Sequence, residues 1–200
     1  MTRRAPRPDA TPGTRLVRPD ARYGESYLEA SDEFLASGEQ RDGDGDWVQP
    51  PEDGYAGFTF TRDGLRDPTE LARLVQQRLR ACDEDTPRRR AWPPVTYTWM
   101  VVGDEYVGSL AIRHRLTPRL LEEGGHIGYS VRPTARRQGH ASRALGQALV
   151  LAHGVVDRPA VLLTCLEDNL GSRAVIEGNG GVLEDVRGGV RRYWIPTRPG

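Results

Sequence analysis

Between His126 and Cys165 the chain reads as a strand, HIGYSV, a polar turn, RRQGHAS, a helical segment and a second apolar run, AVLLTC. In the helical segment Ala141, Leu145, Ala148, Leu149 and Ala152 share one stripe, the spacing that lays a helix on a sheet. AVLLTC, Ala160 to Cys165, is apolar enough for a central strand covered on both faces. Strand, turn, helix and strand in that order commit the fold to the α/β class. The turn is the unusual part. A glycine-containing turn at the head of a helix aims several main-chain N–H groups at one point, where the helix dipole adds positive charge, and that arrangement suits a phosphate. Charge-assisted hydrogen bonds contribute about 1.5–3 kcal/mol each, so three or four can fix a diphosphate without lysine. The chain has none: all 28 Lys-plus-Arg positions are Arg. The Gly-Lys-Ser/Thr ending of a P-loop is missing, as are two of the three glycines of the dinucleotide fingerprint. Taken alone, the turn also reads as an ordinary solvated strand-to-helix connection.

The remaining segments fit one domain over residues 14–200, with a Pro- and Arg-rich, disordered lead-in at 1–13 that has no apolar core and is not a signal sequence. A short strand is expected at LVRP from Leu16, and a helix from Tyr23 to Ala36. Residues 37–64 are rich in Gly, Asp and Pro, an irregular excursion whose rings at Trp47, Tyr55, Phe58 and Phe60 dock elsewhere. Asp67, Pro68 and Glu70 start a helix, with the Glu reaching back to close a capping box. A hairpin joins Val95–Val102 to Tyr106–His114. An irregular stretch follows to Gly125. After AVLLTC come a helix over 170–177, stopped by Asn179, Gly180 and Gly181, and a closing hairpin of VLEDV and RRYWI.

Acidic and basic residues balance at 28 each, so no whole-chain field draws the protein to nucleic acid or to an anionic membrane. Cys82 and Cys165 lie in helix-like and strand-like runs. They supply neither a disulfide framework nor a zinc site, and a cytoplasmic protein is expected. Asp42, Asp44 and Asp46 alternate as in a calcium loop, but Trp47 stands where the sharp-turn glycine belongs and Asp53 replaces the closing Glu. No metal is expected there. The stretch reads as a solvated loop, with attraction of a cationic acceptor as the further option.

The order Arg136-x-x-Gly139-x-Ala141 after HIGYSVRP, with Asn169 heading the later helix, resembles the acetyl-CoA-binding core of the GNAT superfamily of N-acetyltransferases. The likeness covers residues 14–196 and is strongest from Gly125. There GGHIGYSVRPTARRQGHAS, DNLGSRAVIEGNGGVLE and RYWI are similar to a subgroup of bacterial acetyltransferases. It implies a mixed, mostly antiparallel twisted sheet with helices on both faces and acetyl-CoA wedged between two diverging strands. By this resemblance the strand ending at Val131 pairs with the pantetheine arm, and a free N–H near Val131 binds the thioester oxygen. The amides of Gln138, Gly139, His140, Ala141 and Ser142 hold the pyrophosphate. Arg136 and Arg137 contact phosphate or remain solvated. Asn169 contacts pantetheine, caps its helix, or does both.

The implied reaction is direct attack of a primary amine on the thioester within a ternary complex. The family's Tyr, seven residues past the Asn, is Ile176 here. Ser172 or Tyr193 then becomes the substitute proton donor, although a helical Ser is more often a capping or solvated group. His126 is the first candidate base, with an imidazole suited to proton transfer near neutrality; the other reading is a strand-edge histidine held for structure. His114 is the weaker rival. The acceptor, whether small metabolite, antibiotic or protein N-terminus, stays open. Two other classes compete: a non-catalytic acyl-CoA-binding module, and a docking protein that kept the fold and binds no CoA. A second copy could pair along the C-terminal hairpin.

Overall fold

The computed structural model describes residues 13–199, so the lead-in expected over 1–13 lies outside the described residues except for Gly13. Strand β1 (Arg15–Val17) is followed by helix α1 (Gly24–Ser37), which ends on Gly38 at φ +67°. Within the 37–64 excursion the strands are β2 (Val48–Gln49) and β3 (Phe58–Thr59), paired as a two-stranded ribbon. Its rings dock as expected: Tyr55 and Phe60 are buried, and Trp47 Nε1 donates to the Tyr27 hydroxyl at 2.9 Å. Helix α2 (Pro68–Arg80) is capped by Asp67, whose carboxylate accepts from Thr69 N–H at 2.6 Å. Glu70 does not reach back. It pairs with Arg73 at 2.7 Å one turn on, so the expected box is half formed.

Strands β4 (Val95–Val102) and β5 (Glu105–Arg113) form the central hairpin. The stretch expected to be irregular holds a short helix, α3 (Pro118–Glu122), capped by Thr117 with Pro118 at its first position. That start signal was present in the sequence. Then come β6 (Ile127–Val131), α4 (His140–Val155), β7 (Ala160–Leu166), α5 (Leu170–Gly178), β8 (Val182–Arg187) and β9 (Val190–Pro196).

The strands divide into a four-stranded sheet, β1-β4-β5-β6, and a three-stranded sheet, β7-β9-β8, with antiparallel ladders throughout. Two apolar clusters cover them. Helix α4 presses Ala144, Leu145, Ala148, Leu149 and Ala152 into one core with Leu110, Ile112, Ile127, Val161 and Leu163. On the other face α1 and α2 bring Tyr27, Leu71 and Leu74 against Trp99 and Tyr106, where the Tyr27 and Trp99 rings stack with centroids 4.7 Å apart.

Strands β6 and β7 share no ladder. They are joined at their bases, where His126 N–H donates to Leu162 O at 2.7 Å and Leu162 N–H donates to His126 Nδ1 at 2.8 Å. Gly125, at φ +58°, permits the approach; a Cβ there would lie 2.3 Å from Leu162 O. Beyond this pin the strands part, and the gap is the mouth of the main cleft. The first half of β7 is buried as expected, whereas Thr164 opens on the cleft and Leu166 is exposed. Strand β8 is a sheet edge with Val182, Leu183 and Val186 exposed, the hairpin surface expected to accept a second copy.

Candidate active site

The cleft has a volume of about 850 Å3 and runs from the head of α4, between β6 and β7, to the loop at 39–42. Its wall at the head of α4 is largely main chain. Helix α4 begins on Gly139 at φ +79° with no side-chain cap. Arg137 is also in the left-handed region, at φ +64°, a conformation that costs a side-chain-bearing residue about 1 kcal/mol or more. Such alternation turns successive N–H groups to one side. From Arg137 to Ser142, no main-chain N–H donates to a protein group among the described residues. Free donors at a helix N-terminus are the chemistry of an anion cradle.

The edge of β6 adjoins this cradle. Arg113 N–H donates to His126 O and Arg132 N–H to Val107 O, so the even-numbered residues of β6 pair with β5. The N–H and C=O groups of Ile127, Tyr129 and Val131 therefore point toward the gap, as alternation along a strand requires. The carbonyl of Val131 is taken by Arg136 Nε at 3.1 Å, which leaves its N–H free.

Most residues of the cofactor set meet on this cleft. Val131, Arg136, Arg137, Gly139, His140, Ala141, Ser142 and Asn169 all line it. Gln138 lies on the far side of the turn, against a smaller cavity, with its carbonyl held by Arg143 at 2.8 Å. Arg136 is committed to Glu39 of the loop after α1, at 2.6 and 2.9 Å, and braces the turn. Arg137 has no such partner among the described residues and is exposed. Asn169 caps α5 by accepting from Ser172 N–H at 2.9 Å, which leaves its amide nitrogen for the cleft.

The chemical residues divide. Ser172 lines the cleft, and its hydroxyl is hydrogen-bonded to the Tyr129 phenol at 2.9 Å. Burial pushes that phenol well up, against the opposing effect of Ser172. Tyr129 was missed in the sequence because alternation gives its ring to the core, whereas its hydroxyl meets Ser172 on the cleft. Tyr193 is elsewhere: it sits in the middle of β9, 1% exposed, with its hydroxyl donating to Glu177 at 3.0 Å. Ile176 is wholly buried.

His126 is not on the cleft either. It is 0% exposed, its Nδ1 is occupied by Leu162 N–H, and burial lowers its pKa to about 4, with Asp157 opposing and Arg158 and Arg113 adding to the drop. A ring in that position pins two sheets away from the cleft, with its Nε2 meeting no hydrogen-bond partner among the described residues. His114 is held by Thr96 at 2.8 Å and also lies off the cleft, its pKa lowered by burial.

The end of the cleft away from α4 is lined by Asp42, Arg113, Glu123 and Gly124. The three aspartates of the 42–46 stretch point apart. Asp44 is buried against Arg41 and the Tyr27 hydroxyl, and Asp46 faces Arg89 at 3.8 Å. Among the described residues no group of three His, Cys, Asp or Glu side chains is placed to hold a metal. Asp42 alone turns to the cleft. Its carbonyl accepts from Ser130 Oγ at 2.7 Å and Ser109 Oγ at 3.2 Å, which staples the loop to the sheet. Gly43, at φ +81°, makes that seat fit, since a Cβ would meet Gly128 O at 2.6 Å. Although the side chain is open to the cleft, its dense surroundings raise its pKa by desolvation; Arg113 opposes the shift and Glu123 adds to it.

Residues 46–182 match the acetyltransferase (GNAT) domain family, and the chain belongs to that family of N-acetyltransferases. No curated relative matches the sequence. Three solved structures share the fold over nearly the whole chain. One is a Salmonella typhimurium acetyltransferase that modifies the N-terminal serine of ribosomal protein L7/L12, at 18% identity, covering 93% of this chain and 96% of that one, with TM-score 0.54. Another is Mycobacterium smegmatis RimJ in complex with CoA-disulfide, at 20% identity, covering 92% and 80%, with TM-score 0.53. The third is the microcin C7 self-immunity acetyltransferase MccE in complex with acetyl-CoA and AMP, at 12% identity, covering 92% of each chain, with TM-score 0.56.

Proposed function

We propose that this acetyltransferase carries an acetyl group from acetyl-CoA to a primary amine by direct attack in a ternary complex. The observation that carries the reading is the run of unspent N–H groups from Arg137 to Ser142, five of them on residues that line the same cleft as the unpaired edge of β6. The residues present fit the co-substrate: the cradle would receive the pyrophosphate, with Arg137 above it, and the edge of β6 and Asn169 would pair with pantetheine. The free N–H of Val131 would face the thioester oxygen and stabilise charge developing there.

Asp42 takes the place first given to His126. A carboxylate raised by burial accepts a proton from the incoming ammonium more readily than an ordinary one, and passes it to solvent. As the C–N bond forms, the C–S bond breaks. Ser172, relayed by the Tyr129 phenol, gives a proton to the sulfur, and the proton lost from the amide nitrogen replaces it through solvent. A thiol of pKa about 8.5 needs only about 2 kcal/mol of help near pH 7, so a hydroxyl pair suffices where the family's tyrosine is missing.

No described helix is long and apolar enough to cross a membrane, and both cysteines are free thiols. The reading takes a cytoplasmic setting and a small-molecule or peptide amine as partner. The test is thiol release from acetyl-CoA across an amine panel, alongside calorimetry with CoA. Turnover with at least one amine supports the reading. Tight CoA binding with no turnover on any amine would instead make the chain an acyl-CoA-binding module.

A further inference from the structure

The acceptor end of the cleft carries both signs of charge, and neither is used up internally. Arg113 reaches it from the end of β5. One nitrogen, Nη1, is spent on the carbonyls of Gly124 at 2.8 Å and Gly125 at 3.2 Å. Neither Nε nor Nη2 donates to any group among the described residues, and no described carboxylate lies within ion-pair distance of the guanidinium. It is only partly exposed, so it has given up water without gaining an anion, and a half-desolvated guanidinium is a strong, two-pronged receptor for a planar oxyanion.

Facing the same space are the carboxylates of Asp42 and Glu123, which make no hydrogen bond or ion pair among the described residues. Neighbouring arginines are handled otherwise: Arg132 has Glu33 at 2.6 Å, Arg136 has Glu39 at 2.6 Å and Arg192 has Asp185 at 2.9 Å. The frame that carries the three groups is held. The carbonyl of Asp42 is fixed to the sheet by two serines, Arg113 is tied to the 124–125 turn, and Glu123 precedes that turn.

We infer that the acceptor is a small zwitterion, a free α-amino acid or a close analogue, whose ammonium is drawn to Asp42 and Glu123 and whose carboxylate pairs with Arg113. This rests on the acetyltransfer reading above and narrows its substrate. A bare amine satisfies the carboxylates and leaves the guanidinium unpaired. The N-terminus of a polypeptide does the same, because its α-carboxyl is an amide. An amino acid meets both charges within the span of one residue.

The test compares free amino acids with their carboxamides and with the corresponding decarboxylated amines, using acetyl-CoA and reading thiol release. At least one free amino acid should exceed its carboxamide in kcat/KM by tenfold or more. Arg113→Met should reduce that preference by about 10- to 100-fold, the worth of a charge-assisted bidentate contact, through the KM of the acid. The carboxamide should lose far less than the acid, and the KM for acetyl-CoA should stay within about twofold of wild type. Since Arg113 also holds the 124–125 turn, Arg113→Lys provides a second reading that keeps the charge and loses the fork; it should give an intermediate preference, with circular dichroism checking the fold. Carboxamides or peptide N-termini used as well as free acids would overturn the inference and leave acetyltransfer standing, as would equal loss of acid and amide in Arg113→Met. Absence of thiol release with every amine tried would remove the acetyltransfer reading, and this one with it.

Discussion

His126 and Leu162 exchange the two hydrogen bonds that join the sheets, His126 N–H to Leu162 O at 2.7 Å and Leu162 N–H to His126 Nδ1 at 2.8 Å. The second bond requires an unprotonated Nδ1. Because the ring is also fully buried, protonation would both break the pin and place a charge in the interior.

A pH dependence of stability follows. The folded-state pKa is about 4, below the ordinary 6.5, so between these values the unfolded chain binds more protons than the folded one. His126 therefore contributes fully above pH 6.5, and its contribution is lost as pH falls toward 4, by up to roughly 3 kcal/mol. Urea unfolding of His126→Asn, whose carbonyl can still accept from Leu162, should be weaker at pH 7 and flatter between pH 6.5 and 4 than wild type. Per folded molecule, its turnover should keep the wild-type pH profile. A profile that loses its limb near neutrality would return His126 to the role of base.

A second brace fixes the approach to the cradle. Glu33 of α1 accepts from Arg132 Nε and Nη2 at 3.0 and 2.6 Å and from Thr134 N–H at 3.0 Å. Burial works to raise its pKa, but these bonds outweigh it and hold the carboxyl below its ordinary range. Glu33→Gln leaves Arg132 still beside Glu105 at 2.8 Å and Glu29 at 3.5 Å. The expected loss is then about 1–2 kcal/mol rather than the 3–5 of an orphaned buried charge. Arg132→Met strands Glu33 and should cost more. Both should weaken CoA binding several-fold by calorimetry, since residues 132–134 lead directly into the turn.

Much of this architecture was legible locally. The β4–β5 hairpin, the start of α2 at Asp67 and Pro68, and the strand, turn and helix from Ile127 to Val155 are each written in neighbouring residues, and period and capping report on neighbours. The acceptor end was not. Asp42, Arg113 and Glu123 converge only because the 42–43 loop folds back onto β5 and β6, and no spacing in the chain encodes that. The split into two sheets came from the family resemblance, with its two diverging strands, and not from local pattern: AVLLTC looks like any buried strand, and what it fails to pair with is a tertiary fact. His126 was misplaced because the residue ahead of a strand has no fixed face, and Tyr193 because its polar hydroxyl suggested a site while its ring belonged to the core.

The turn itself separates conformation from charge. Gly139, at φ +79°, has Arg143 Nη1 3.1 Å from the position of a Cβ. That side chain can move, but the left-handed backbone is strained for a β-branched residue. Gly139→Val should rotate the free N–H groups and raise the Kd for CoA tenfold or more. Arg137 is the converse, a side chain already at φ +64°, so Arg137→Gly relieves strain, keeps the donors in place and removes only the guanidinium. A smaller rise in Kd is expected, about two- to fivefold and steeper at low salt. Equal losses in the two variants would mean that charge, and not main-chain geometry, dominates the cradle.

The Ser172–Tyr129 pair, 2.9 Å apart, is assigned to the departing thiolate. Since that step needs only about 2 kcal/mol of assistance near neutrality, Ser172→Ala should lower kcat by no more than about 30-fold, with the KM for acetyl-CoA nearly constant. Tyr129→Phe keeps the ring packed and removes only the hydroxyl, so it should lower kcat to a similar extent. If the two hydroxyls act as one relay, the double variant should be no slower than the slower single, because the second change removes nothing still in use. Fully multiplicative losses would separate their roles, and wild-type kcat in both singles would leave proton delivery to solvent. Tyr193→Phe serves as the contrast: its hydroxyl is 3.0 Å from Glu177 and off the cleft, so it should affect stability by about 1 kcal/mol and leave kcat unchanged.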